Sequence, residues 1–204
     1  MNRKIGLTGG IASGKSSVSK MLSGLLGCEH VDADEICSRL LEPHKEGWQE
    51  FTRVFGSAYL SDDEVINRPL LRNDLFANEE LREKVNKIIH PMVKKVLLAR
   101  MNQIVESGSS SKILLEVPLL YEVYWQNLFD TVVVVYADHE TCMKRLRDRD
   151  GVDKAAAVKE LQSQWPLSEK VKKADHVIDN SGLLEDTKRQ VEYLAELLSR
   201  DSEC

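Results

Sequence analysis

The residues best suited to chemistry lie near the start of the chain, in Gly9-Gly10-Ile11-Ala12-Ser13-Gly14-Lys15-Ser16-Ser17. Glycines at 9 and 14, followed at once by a lysine and a hydroxyl residue, match the pattern G-x-x-x-x-G-K-[ST]. Phosphate oxygens are best held by a row of backbone N–H groups, and only a tight loop poor in side chains presents such a row. At Gly9 and Gly14 the chain can adopt angles and approach distances that a Cβ would block. Lys15 can reach the β- and γ-phosphates of a nucleoside triphosphate, and the Ser16 hydroxyl can ligate Mg²⁺. The loop needs a strand before it and a helix after it. Lys4-Ile5-Gly6-Leu7 reads as a short buried strand, and 16–26 reads as a helix.

Further carboxylates and cations follow at spacings that could complete such a site. Asp32-Ala33-Asp34 closes a second predicted strand, and in an open α/β sheet ligands sit outside the carboxyl ends of strands. Two readings stand there: a general base or Mg²⁺-water ligand, or a cap on the helix predicted for 34–41. Glu116, in the predicted third strand 112–120, suits a metal-supporting acid, an orienter of Lys15, or an ion-paired strand end. Glu122 is a candidate contact for an acceptor substrate. Arg145 and Arg149 share one face of a helix predicted for 139–149. That face reads either as solvated or as a lid whose arginines close over a triphosphate.

The remaining elements must position these residues. Asp130–Ala137 is a continuous β-branched run, the mark of a central parallel strand buried on both faces. His176–Asn180 reads as a short last strand before a closing helix whose apolar stripe takes in Leu183, Leu184, Val191, Leu194 and Leu198. From Trp48 to Met101 the pattern is mostly helical, with Pro69 placed as a first-turn proline and Arg68 and Arg72 on one face. Pro91 predicts a kink or break in the long stripe from Leu81 to Ile104, with His90, read as a structural histidine, at the joint. A helical insertion between two parallel strands is the usual home of the second substrate in nucleotide and nucleoside kinases. Gly108–Ser111 reads as a loop, and Asp201–Cys204 should fray.

Composition narrows the classes. The chain has 204 residues, 42% hydrophobic and 30% charged, ordinary for a globular protein of one large domain. A net charge of −5 argues against a broad nucleic-acid surface. Cys28, Cys37, Cys142 and Cys204 show no zinc spacing and read as reduced thiols. No apolar run approaches a membrane span and no leader pattern precedes the first strand, so the expected setting is cytoplasmic, without a membrane partner. The sequence carries no signal of oligomeric state. A GTP-binding switch is disfavoured: Asn86-Lys87-Ile88-Ile89 lacks the aspartate of the guanine motif, and Asp148-Arg149-Asp150-Gly151 falls in the basic segment.

Taken together the motifs resemble the dephospho-CoA kinase family. The resemblance rests on the Gly9–Ser16 loop, Asp32-Ala33-Asp34, Arg68 with Leu71-Arg72 and Phe76, His90-Pro91, Pro118-Leu119-Leu120 with Glu122, Arg145 and Arg149, and Gln164, Lys170, Ala174-Asp175 and Asn180. It covers nearly the whole chain in order. It implies an α/β P-loop NTPase fold: three α/β/α layers, a parallel sheet, a helical substrate-binding insert and a lid. The core is expected at about 1–42, 108–140 and 174–204, the insert at about 43–107 and the lid at about 141–173. The implied reaction moves a phosphoryl group from ATP to the ribose 3′-hydroxyl of dephospho-CoA, with Mg²⁺. By the same resemblance, Ala12, Ser13, Gly14, Lys15, Ser16 and Ser17 hold ATP. Asp34 is the base, Asp32 supports the metal, and Arg68, Arg72 and His90 lie in the substrate domain. Arg145 and Arg149 match lid arginines. Many members carry glycine where Ala12 stands, and alanine suits that position if it needs no positive φ.

Overall fold

The computed structural model describes residues 3–108 and 112–200. The expected Ser109–Ser111 loop, the fraying 201–204 end and Cys204 lie outside the described residues. The chain divides into two compact units, one within 1–32 and 101–204, the other 33–100.

The first unit is built on a five-stranded sheet. Its strands are β1 (Arg3–Gly9), β2 (Glu29–Asp32), β3 (Lys112–Glu116), β4 (Thr131–Tyr136) and β5 (His176–Asp179). Their order is β2-β3-β1-β4-β5, and every pairing is parallel. On one face the helices α1 (Lys15–Leu26) and α9 (Leu184–Arg200) cover Ile5, Leu7, Leu114, Val133, Val135 and Ile178. Val18 and Leu22 of α1 and Val191, Leu194 and Leu198 of α9 complete this core. On the other face Ile113, Leu115, Val132 and Val134 are also buried. There Leu120 and Phe129 pack so closely that a Cβ on Gly6 would meet Phe129 at 2.8 Å and Leu120 at 2.9 Å. Burial on both faces explains the β-branched composition of β4.

After β4 come α6 (His139–Asp150), α7 (Lys154–Gln162) and α8 (Leu167–Val171). Met143, Leu146 and Ala157 form a small core of their own, against which Ile11 and Ala12 pack. Asp138 and Asp153 cap α6 and α7, accepting from Thr141 N and Ala156 N.

The 33–100 unit is helical: α2 (Ala33–Leu40), α3 (Glu46–Phe55), α4 (Arg68–Ala77) and most of α5 (Glu79–Ser107). Phe51 is fully buried, meeting the Phe55 ring at a tilt and the Tyr59 ring edge-on. Asn67 caps α4 by accepting from Leu70 N, and Pro69 takes the first turn as expected.

Three expectations need correction. Of the kink or break expected at Pro91, the break does not occur: helix α5 runs through it. Val85, Ile89, Val93, Leu97, Met101 and Ile104 are all buried along it, and that packing outweighs one lost N–H. Strand β3 ends at Glu116, not Leu120. Val117 N still donates to Leu7 O at 2.8 Å, but Pro118 has no N–H to extend the ladder. At the start of α9, Leu183, just before the helix, and Leu184, its first residue, are 70% and 51% exposed, so the buried stripe begins at Thr187.

Candidate active site

The loop from Gly9 to Gly14 is packed too tightly for side chains at its ends. A Cβ on Gly9 would lie 2.5 Å from Val135 O. Gly14 sits at φ 90 as the N-cap of α1, and a Cβ there would fall 2.1 Å from Asn180 Nδ2. No side chain caps this helix start among the described residues, so its positive end is left to a ligand. The loop is braced from far along the chain: Asn180 Nδ2 donates to Ser13 O at 2.8 Å, and Thr187 Oγ1 donates to Asn180 Oδ1 at 2.9 Å. Gln164 Oε1 accepts from Ile11 N at 3.1 Å.

Ala12 does adopt a positive φ, 59°, contrary to the condition under which alanine would suit it. The left-handed angle costs roughly 1–2 kcal/mol for a residue with a Cβ. Packing of Ala12 against the Met143–Ala157 core offsets part of that strain.

Lys15 Nζ donates to Gly10 O at 2.8 Å, which keeps the ammonium at the loop. Ser13 is fully buried, and Ser17 is exposed in the first turn of α1. Among the described residues, neither Ser13 Oγ nor Arg145 Nη1 has a hydrogen-bond partner, although both atoms are buried. Arg145 Nη1 lies 3.8 Å from the position of a Gly14 Cβ, so α6 brings this cation to the loop. Arg149 instead forks onto Asp150, at 2.7 and 2.9 Å, and is 58% exposed. A cleft of about 430 Å³ opens beside Gly10 and Ile11, bounded by Ala137, Cys142, Trp165 and Leu167, a size that small-molecule sites share.

Carboxylates gather at the carboxyl ends of β2 and β3, where Asp32 pairs in register with Glu116. Glu116 is 3% exposed. Ser16 Oγ donates to its Oε1 at 2.9 Å, Ser19 Oγ donates to its Oε2 at 2.6 Å, and His30 Nε2 lies 3.4 Å from Oε2. Burial alone would raise the Glu116 pKa; His30, Ser19, Ser16 and the Lys15 charge together hold it below the usual carboxylate value.

Glu122 is engaged elsewhere. Lys170, with its side chain fully buried, donates to Glu122 Oε1 at 2.8 Å and to Pro118 O at 2.9 Å. Trp165 N also donates to Glu122 Oε1, at 3.0 Å. Burial lowers the Lys170 pKa, and the Glu122 charge opposes that shift. This pair ties α8 to the segment after β3.

In the 33–100 unit, Asp34 is exposed in the first turn of α2. Burial first, and then the Asp34 charge, push the Cys37 thiol up to about 11, while Arg68 pulls the other way. Asp34 and Arg68, far apart in sequence, thus act on one thiol. Arg68 donates to Ser38 Oγ at 2.9 Å and to Ser38 O at 3.1 Å. The Arg72 guanidinium lies 5.5 Å from the centre of the Phe76 ring. His90 is half-buried in α5, and desolvation lowers its pKa.

The sequence pattern did not single out Ser19 or His30. The available signals were weak: Ser19 is one helical turn beyond Ser16, and His30 shares a strand face with Asp32.

The family model described as dephospho-CoA kinase matches residues 3–186, spanning the phosphate loop and the whole 33–100 unit. The chain belongs to the dephospho-CoA kinase family. A dephospho-CoA kinase of Geobacillus kaustophilus is 41% identical over 191 residues, covering 94% of each chain. One of Halalkalibacterium halodurans is 42% identical over 187 residues, covering 92% of each. The solved dephospho-CoA kinase from Campylobacter jejuni is 27% identical, with a TM-score of 0.69 over 99% of this chain and 100% of that one. The parallel sheet with flanking helices is therefore that of a P-loop kinase of this family.

Proposed function

We propose that the protein transfers the γ-phosphoryl group of ATP to the ribose 3′-hydroxyl of dephospho-CoA, giving coenzyme A and ADP. The observation that carries this reading is the family match across 33–100 as well as the loop, since kinases of one fold differ chiefly in the acceptor unit. Asp34 takes the proton of the attacking hydroxyl, whose oxygen bonds to the γ-phosphorus as the bond to the bridging oxygen breaks. Lys15 and Arg145 carry the positive charge that offsets charge building on the phosphoryl oxygens. The buried, unpartnered Ser13 Oγ and Arg145 Nη1 support this role, because a bound phosphate would satisfy such groups. Ala12, Gly14, Ser16 and Ser17 complete the ATP loop, and Arg149 joins it by leaving Asp150. Arg68, Arg72 and His90 serve the acceptor. Glu122 acts on it indirectly, by fixing the segment around Trp165.

The residues fit Mg²⁺. The Ser16 hydroxyl and the paired carboxylates Asp32 and Glu116 are hard oxygen donors at one end of the sheet. Among the described residues no cluster of three His, Cys, Asp or Glu side chains could hold a metal without help. That suits an ion held mostly by substrate phosphates and water. Ser16 and Asp32 would hold it, and when bound it neutralises phosphate charge. We take the nucleus of a core, a helical acceptor insert and a lid near 141–173 as the working division of the enzyme. No described helix is long and apolar enough to cross a membrane, and we take the reaction to run in the cytoplasm on small molecules, without nucleic acid.

The test is ADP release with a panel of acceptors. Dephospho-CoA should raise turnover far above the water background, while AMP, UMP and shikimate should not. The opposite ranking sinks the reading.

A further inference from the structure

Glu116 has both carboxylate oxygens committed before any ligand arrives. Oε1 takes the Ser16 hydroxyl proton at 2.9 Å. Oε2 takes the Ser19 proton at 2.6 Å and faces His30 Nε2 at 3.4 Å, an electrostatic contact rather than a well-formed hydrogen bond. These partners come from two elements beside its own. Ser16 and Ser19 lie one turn apart on α1, His30 stands on β2, and Glu116 ends β3. Register places Asp32 beside Glu116 and His30 beside Leu114, the residue of β3 that shares the α1 face with Ile5.

Ser19 is not held this way by default. A helical serine ordinarily bonds a carbonyl one turn back, and Ser19 Oγ does lie 3.2 Å from Ser16 O. Its shorter contact is to Glu116 instead. A serine hydroxyl has one proton and two lone pairs. With its proton fixed on Glu116, Ser16 has only lone pairs left to offer. A carboxylate free to swing would let that hydroxyl rotate and present its hydrogen, which repels a cation.

We propose that Ser19 and His30 are positioning residues: they clamp Oε2 of Glu116 so that Oε1 holds the Ser16 hydroxyl with its lone pairs toward the nucleotide's Mg²⁺. The proposal rests on the Mg²⁺ reading above and adds to it the residues that act through Glu116. Groups one step removed from a metal ligand, as Glu116 would be from Ser16, commonly matter about 10–100-fold in metal affinity, and Ser19 and His30, one step further out, are expected at the low end of that range.

The test measures Mn²⁺ binding by electron paramagnetic resonance, with the full chain and a non-hydrolysable ATP analogue. Metal-free analogue affinity and the Mg²⁺ dependence of turnover are measured alongside. Ser19→Ala should weaken Mn²⁺ about tenfold, and His30→Phe by a smaller factor. Ser19→Thr, which keeps the hydroxyl, should restore binding. Metal-free analogue affinity should stay unchanged in all three, and kcat at saturating Mg²⁺ should recover more than KM for Mg²⁺. If Ser19→Ala does not fold, His30→Phe and Ser19→Thr decide the matter on the same readouts. Wild-type Mn²⁺ affinity in Ser19→Ala and His30→Phe overturns the proposal alone, as does an equal loss of metal and metal-free analogue binding in either. Turnover by the unsubstituted protein that ignores Mg²⁺ overturns the underlying reading.

Discussion

At the phosphate end of the sheet, Ser16, Ser19 and Glu116 are locked together by bonds of 2.6–2.9 Å around a carboxylate only 3% exposed. In the 33–100 unit the candidate residues stand nearer the solvent: Arg68 is exposed and donates to Ser38, Arg72 lies over Phe76, and Asp34 is exposed. The contrast matches two tasks. Charge that develops in a transition state is best met by groups that need not reorganise. An acceptor with a long, varied surface is better met by side chains that can adjust, at the cost of ordering them on binding.

That contrast can be broken at several points. The largest effect should come from Asp34→Asn, which removes the proposed base and should lower kcat by about 10²–10⁴ while leaving ATP affinity in place. Equal losses in kcat and ATP affinity would move Asp34 from the acceptor side to the metal or the fold. Lys15→Ala should cost about 10²–10³ in kcat, as for a lost transition-state donor. A fall confined to KM for ATP would make the lysine a ground-state anchor. Arg145→Ala should raise the ATP KM about tenfold, the size of one charge-assisted hydrogen bond. Arg149→Ala should do less, because its guanidinium already has Asp150. Equal effects from the two arginines would show that α6 rearranges more than its resting contacts suggest.

The histidine in α5 gives a pH test confined to the 33–100 unit. Burial lowers the His90 pKa from 6.5, so the folded state resists a proton that the unfolded state accepts. Stability from this group is fully present above about pH 6.5 and falls as the pH drops below it. Denaturant midpoints between pH 7.5 and 5 should therefore fall less for His90→Gln than for the parent chain. Identical slopes would show that His90 is not the group responsible. The smallest effect belongs to Ala12→Gly. Relief of the positive φ is offset by lost methyl packing and a freer unfolded chain, for a net change within about 1 kcal/mol. Ala12→Val should instead destabilise by several times that, because a β-branched residue resists this angle. Thermal melts of the two variants check the pair.

What the sequence made legible was local. The β1-loop-α1 unit is contiguous, and each of its residue types answers to one backbone requirement. The β4 run declares double burial by composition alone. At both prolines the surroundings decide the outcome. Pro91 sits in a stripe whose packing carries α5 past the missing N–H. Pro118 stops β3, although the apolar residues continue through Leu120 and Tyr121 as a packed turn. The site was legible as residue types and not as contacts. Asn180, Gln164 and Lys170 entered only through a resemblance, since their partners lie 167, 153 and 52 residues away. Arg145 and Arg149 share a helix face, and nothing local tells which one Asp150 will hold.

The brace on the phosphate loop bears on how the protein is made. Residues 9–17 are synthesised early, but the bond that holds Ser13 comes from Asn180, itself held by Thr187. The central strand β1 likewise waits for β3 and β4 before it has neighbours. Contacts of such sequence separation close late, because chain entropy opposes them until most of the sheet exists. A growing chain that has not yet exposed residue 180 to the solvent should therefore be unable to retain ATP, however complete its loop. On this reading the nucleotide should stabilise a sheet that is already closed rather than template its closure during translation.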